Sequence, residues 1–229
     1  MDIIQNLKRI RERIVEAALR VQREPKNIRL VAVTKNVTVE KIIEAAKAGI
    51  DTFGENYAQE FRDKYIKVEK ALGRDVKWHF IGRIQKNKVK YIVSNVELIH
   101  SLDSIKIAEE INRRAERLGI NVPVLIEVNA DEAYKGGVKS EAAEEFLETL
   151  NNYPNITVKG LMIMPPFFEE KEMTRPYFNS LRKLRDKLQK KSSKIIELSM
   201  GMSGDFVVAI EEGATILRIG TDIFGERTD

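Results

Sequence analysis

A lysine closes the first strand-like run of the chain, Arg29-Leu-Val-Ala-Val-Thr-Lys35, and an arginine lies inside the last, Thr215-Ile-Leu-Arg-Ile-Gly-Thr221. Side chains alternate across a strand, so Lys35 shares a face with Val31 and Val33, and Arg218 shares one with Ile216 and Gly220. Both cations are expected to point inward. A lysine amine attacks carbonyl carbon only when neutral, and desolvation or a neighbouring cation favours that form. A buried guanidinium is costly unless paired, so Arg218 calls for a ligand or a buried carboxylate, for which Glu197, on the face of Ser199, is the expected candidate. Ser199-Met-Gly-Met-Ser203 ends the seventh run, and Gly220-Thr221 ends the eighth. Ser203-Gly204-Asp205 predicts a helix start capped by Ser203, while Gly220 and Thr221 offer backbone N–H groups, a combination suited to phosphate.

These residues need a scaffold that brings strand ends together. Strand-like runs are predicted at 30–34, 52–53, 77–81, 98–101, 124–128, 158–164, 195–199 and 215–219. Helical stretches fall between them at 39–48, 57–72, 84–92, 105–118, 141–150, 171–190 and 205–212, after a leading amphipathic helix over 3–23. Eight strand-then-helix units imply parallel strands with right-handed crossovers, and so a single α/β domain over 1–229: a (β/α)8 TIM barrel with an extra N-terminal helix. An open doubly wound sheet is the alternative. Barrel enzymes work at the C-terminal strand ends, and those ends are polar here: Lys35, Glu55-Asn56-Tyr57, His79 and Glu127-Val128-Asn129. Each has a plainer reading. Lys35 alone would be a solvated strand end, Ser203 only a cap, and Gly201 and Gly220 only turn residues. Asn56 suits a turn as well as a ligand. His79 suits a satisfied core position, with Trp78 and Phe80 packed on the outer face.

Composition excludes several chemistries. The chain has 229 residues, 43% of them hydrophobic, and no cysteine, so disulfides, thiol catalysis and cysteine-ligated zinc are ruled out. Two histidines leave little for a histidine-rich metal centre. With 39 Lys and Arg against 35 Asp and Glu, scattered rather than clustered, no nucleic-acid-binding stripe is formed. No apolar run reaches the roughly 18 residues of a membrane span, and no signal peptide is present, so the cytoplasm is the default compartment. No long exposed apolar stripe is evident, and a monomer is expected.

An aldehyde cofactor bearing a phosphate would use the amine, the phosphate cup and a group facing a pyridine nitrogen, which describes pyridoxal phosphate (PLP). The segments Val31-Ala-Val-Thr-Lys35, Phe53-Gly-Glu-Asn-Tyr57, Trp78-His-Phe-Ile-Gly82, Leu198-Ser-Met-Gly-Met-Ser203 and Leu217-Arg-Ile-Gly-Thr221, then Ile223-Phe-Gly225, resemble the pyridoxal phosphate homeostasis proteins, also called the proline synthase co-transcribed family. The resemblance spans nearly the whole chain in order. It implies the barrel of the alanine racemase N-terminal domain, with Lys35 holding PLP as a Schiff base and Arg218 facing the pyridine nitrogen. It also implies that Ser199, Ser203, Gly220 and Thr221 surround the phosphate, with Asn56 beside the ring.

By the same resemblance the protein binds PLP and takes part in its intracellular supply and in amino-acid and keto-acid balance, without an established turnover. Apo PLP-dependent enzymes and amino acids are the implied partners. Alanine racemase continues into a β-rich domain that supplies a tyrosine acid/base, whereas this sequence stops at Asp229, which disfavours a two-base racemase. A single-domain PLP enzyme such as an amino-acid racemase, with Lys35 or His79 as base, stays open, as does a phosphosugar barrel enzyme. Lys135, after the fifth strand, is the rival to Lys35 as the Schiff-base lysine.

Overall fold

The alternation along each strand separates two apolar sets. Val31, Leu98, Leu125, Met162 and Ile216 form a small cluster of their own, while their strand neighbours Ala32, Ile99, Ile126, Leu161 and Leu217, together with Phe53 and Trp78, join the larger core shared with helices. That division is what a closed barrel requires, one face of each strand lining the axis and the other meeting the helical layer. The computed structural model describes residues 2–130 and 136–226, and Lys135 lies outside them.

Among the described residues the strands are β1 (Arg29–Val33), β2 (Thr52–Glu55), β3 (Lys77–Phe80), β4 (Leu98–Leu102), β5 (Val122–Val128), β6 (Ile156–Ile163), β7 (Glu197–Ser199) and β8 (Ile216–Ile219). They pair in parallel in sequence order, and β8 closes on β1 with Val31 opposite Arg218. The expected (β/α)8 barrel is therefore the observed fold. Its helices are α1 (Ile3–Arg20), α2 (Val39–Lys47), α3 (Ala58–Leu72), α4 (Val89–Ile92), α5 (Ile105–Leu118), α6 (Ala143–Leu150), α7 (Arg175–Gln189), α8 (Phe206–Glu211) and α9 (Thr221–Phe224).

Several boundaries differ from the expected ones. The fourth helical stretch is a 3-10 turn, Lys86–Lys88, followed by a single α turn. The seventh begins as a 3-10 turn and becomes α-helical at Arg175, where Pro176 occupies the first turn, a position that needs no backbone N–H. A short helix after β8, α9, was not expected. The leading helix α1 starts at its Asp2 cap, which accepts from the backbone N–H groups of Ile4 and Gln5. It buries Ile3, Leu7, Ile10, Ile14, Ala17 and Ala18, lies against α8, α9 and α2, and donates from Asn6 to the Ile223 carbonyl at 3.1 Å. Thus α1 braces the helix that follows β8.

Candidate functional site

The β1 and β2 ends are joined by a buried polar network that positions both Lys35 and Asn56. Glu55 is fully buried, and its carboxylate accepts from the Thr34 hydroxyl at 2.9 Å, from Lys64 on α3 at 3.0 Å and from the Asn56 backbone N–H at 2.7 Å. Lys64 also donates to the Thr34 carbonyl at 2.7 Å. The residues immediately preceding Lys35 and Asn56 are thereby fixed to each other. Gly82 closes the same corner from β3, since a Cβ there would lie 2.1 Å from the Asn56 carbonyl oxygen.

Beyond that corner a cavity of about 210 Å³ opens at the C-terminal end of the barrel, lined by Asn56, Arg83, Asp103, Glu127, Met162 and Arg218 among others. Asn56 brings a side-chain oxygen that is buried and has no hydrogen-bond partner among the described residues. Arg218 is 5% exposed, inward-facing as its parity requires, and donates to the Ser199 hydroxyl and to the Ile163 carbonyl at 3.0 Å. Burial lowers its pKa to about 10, with Asp205 and Glu127 acting in the opposite direction. Burial, reinforced by Asp103, raises Glu127 to about 7, while Arg218 and Arg83 oppose the rise.

Glu197 is not the carboxylate beside Arg218. It lies at the opposite end of β7, where it accepts from Thr215 and sits 3.8 Å from Arg29. Strand parity places Glu197 and Ser199 on one face, but two residues of rise, about 6.6 Å, separate them along the axis.

The third part of the site joins the loops after β7 and β8. Gly201 has φ +93°, and a Cβ there would meet the Ala209 Cβ at 2.6 Å, so both backbone and packing require glycine. The cap position of α8 is Asp205, not Ser203, and the Asp205 carboxylate accepts instead from the Met202 N–H at 2.6 Å. The Ser203 hydroxyl accepts, at 3.3 Å, from the Asp222 N–H in the first turn of α9, whose cap position is Gly220. Ser203, Gly220 and Thr221 therefore gather at one helix start, where first-turn N–H groups lack partners within the helix.

Ser199 and Lys35 sit apart from the other expected contacts. The Ser199 hydroxyl is fully buried beneath Arg218 and bonds to His100 at 2.8 Å, so it belongs to the barrel interior rather than the α9 start. Lys35 lies in the turn after β1, half-buried, with its ammonium nitrogen 5.4 Å from the centroid of the Tyr57 ring. It is not among the residues that line the Arg218 cavity. The Thr34–Glu55–Lys64 network, His100 and the Glu127–Asp103 pair had no assigned role from sequence. The parity that pointed Arg218 inward would also have pointed His100, two residues after Leu98. Among the described residues no cluster of His, Cys, Asp or Glu is arranged to hold a metal ion, and no helix is long and apolar enough to cross a membrane.

The model of the alanine racemase N-terminal domain matches residues 5–228. The chain is 48% identical over 229 residues to a pyridoxal phosphate homeostasis protein of Aquifex aeolicus, covering 99% of both chains. It is 33% identical to PipY of Synechococcus elongatus, solved with PLP bound, with a TM-score of 0.79 over 94% of this chain and all of that one. At 16% identity, alanine racemase from Corynebacterium glutamicum shares the fold, with a TM-score of 0.70 over 98% of this chain and 61% of the racemase.

Proposed function

We propose, on the premise that this chain belongs to the alanine racemase N-terminal domain family and, within it, to the pyridoxal phosphate homeostasis proteins, that it binds pyridoxal 5'-phosphate and serves the intracellular supply of that cofactor. The observation that carries the reading is Arg218, a buried guanidinium that lines a cavity while no carboxylate among the described residues lies within ion-pair distance of it. A ring nitrogen with a free lone pair is an acceptor that such a group can bind.

The residues present fit the cofactor. Asn56, whose side-chain oxygen has no hydrogen-bond partner among the described residues, lines the same cavity, and Ser203 with the start of α9 offers hydroxyl and N–H donors to a phosphate. When bound, pyridoxal phosphate supplies an aldehyde that a lysine amine captures reversibly, with loss of water, and a pyridine ring able to accept electrons. Lys35 is the proposed amine. Its neighbour Thr34 is bonded to Glu55, which fixes the backbone from which the lysine side chain extends, and reaching the cofactor would take its ammonium group away from the Tyr57 ring. Arg218 would keep the ring nitrogen unprotonated, because a fixed cation disfavours a second positive charge beside it. Weak electron withdrawal suits holding and releasing the cofactor better than carbanion chemistry.

On this reading 1–229 acts as one cofactor-binding domain, a cytoplasmic monomer that exchanges PLP with apo PLP-dependent enzymes and binds amino acids without turning them over. The test is a titration of the purified protein with PLP followed by its visible spectrum. Wild type should develop a saturable band that Lys35→Ala lacks, and absence of any PLP-dependent band in the wild type would overturn the proposal.

A further inference from the structure

A line of polar side chains runs down the barrel axis, away from the cavity. Arg218 donates to Ser199, Ser199 Oγ lies 2.8 Å from His100 Nδ1, His100 Nε2 lies 2.9 Å from His79 Nδ1, and His79 Nε2 lies 3.8 Å from the Glu97 carboxylate. Both imidazoles are fully buried, and these are the only histidines in the chain.

Proton counting gives the line a direction. A guanidinium can only donate, so Ser199 must accept from Arg218, leaving its single hydrogen free to go to His100 Nδ1. A neutral His100 then carries its proton on Nε2 and donates to His79 Nδ1, and a neutral His79 directs its own Nε2–H at Glu97. The reverse arrangement would turn a bare His79 lone pair toward a carboxylate 3.8 Å away, which is repulsive. The 3.8 Å contact is too long for a direct hydrogen bond, and His79 Nε2 has no such partner among the described residues, so Glu97 orients the ring through charge. Arg29 on β1 stands 3.9 Å from Glu97 and 3.8 Å from Glu197 on β7, keeping both carboxylates at the far rim. Burial holds both imidazoles toward the neutral form; at His100 the His79 and Arg218 charges add to that effect, while at His79 Glu97 and Glu197 oppose it and Arg29 reinforces it, with burial prevailing.

We propose that His100 is a positioning residue for the ligand's ring nitrogen. It acts through Ser199 to hold the Arg218 guanidinium in the orientation that presents its remaining N–H groups to the cavity. The inference rests on the PLP reading for the identity of the ring, but the polarity of the line belongs to the protein alone.

Two measurements test it. Two-bond proton–nitrogen correlation of the apoprotein should show His79 and His100 both neutral with the proton on Nε2, unchanged between about pH 6 and 8. An Nδ1–H tautomer or a charged ring at either position would overturn the directional line, whatever the ligand. Binding of PLP is then compared with that of its 1-deaza analogue, in which carbon replaces the ring nitrogen. Wild type should prefer PLP at least tenfold. His100→Leu and the smaller Ser199→Ala should each lose most of that preference, and His100→Asn, whose amide oxygen can still accept from Ser199, should restore it. Equal loss of affinity for both ligands in the Leu and Ala variants would show a merely structural role and overturn the assignment. Failure of wild type to bind PLP would instead remove the functional reading, leaving the line to be judged by its tautomers.

Discussion

Thr34 donates its hydroxyl to Glu55 at 2.9 Å, so the residues that precede the candidate anchor Lys35 and the cavity residue Asn56 are tied across β1 and β2. Lys64 completes the tie from α3, with Glu60 as a further partner. The two strand ends are therefore bonded into one network.

Removing the carboxylate should cost both stability and binding. Glu55→Ala leaves the largely buried Lys64 with the more exposed Glu60 as its one carboxylate partner beside the Thr34 carbonyl, and truncating one member of a buried pair typically costs about 3 kcal/mol. Urea unfolding of the apoprotein should show a loss of that order, together with weaker PLP binding. An unchanged midpoint would mean that the strand ends are held by other contacts.

At the α9 start, Ser203→Ala should weaken PLP binding by about tenfold or more, since a charge-assisted hydrogen bond contributes roughly 1.5–3 kcal/mol. Pyridoxal, which lacks the phosphate, should be nearly unaffected. Equal losses for the two ligands in a direct titration would separate Ser203 from phosphate recognition.

The strand alternation made much of this site legible in the sequence. It is set by local backbone geometry, so the inward placement of Arg218 and the outward placement of Trp78 and Phe80 followed without tertiary information. Axial position did not follow. Whether Glu197 could reach Arg218 depends on how far each strand is shifted along the barrel axis, which no local pattern encodes. The Ser203 cap failed for a related reason. The chain runs two residues further before α8 begins, and only the closed fold shows that the Ser203 hydroxyl faces α9 instead. The Arg218-to-Glu97 line joins β8, β7, β4 and β3 to the segment before β4, and becomes visible only once the barrel closes.

Glu127 should give the stability curve a distinctive pH dependence. Its folded-state pKa, raised from 4.5 to about 7, makes the folded protein bind more protons than the unfolded chain between those values. Stability is therefore lost as pH rises through that window. Glu127→Gln removes the loss, and should be more stable than wild type at pH 8 by about 3 kcal/mol but nearly equal at pH 4. A difference that is the same at both pH values in urea unfolding would contradict the account.

If Arg218 keeps the ring nitrogen unprotonated, the PLP-loaded protein should exchange the α-proton of alanine in deuterated water no faster than free PLP, and Arg218→Glu should raise the rate. Rapid exchange by wild type would establish an enzyme rather than a carrier.

The most direct test of the central claim is borohydride reduction of the PLP-loaded protein followed by peptide mass mapping. The account predicts one modified residue, Lys35, and no modification in Lys35→Ala. Mapping of the label to Lys135, or an undiminished label in Lys35→Ala, would contradict it.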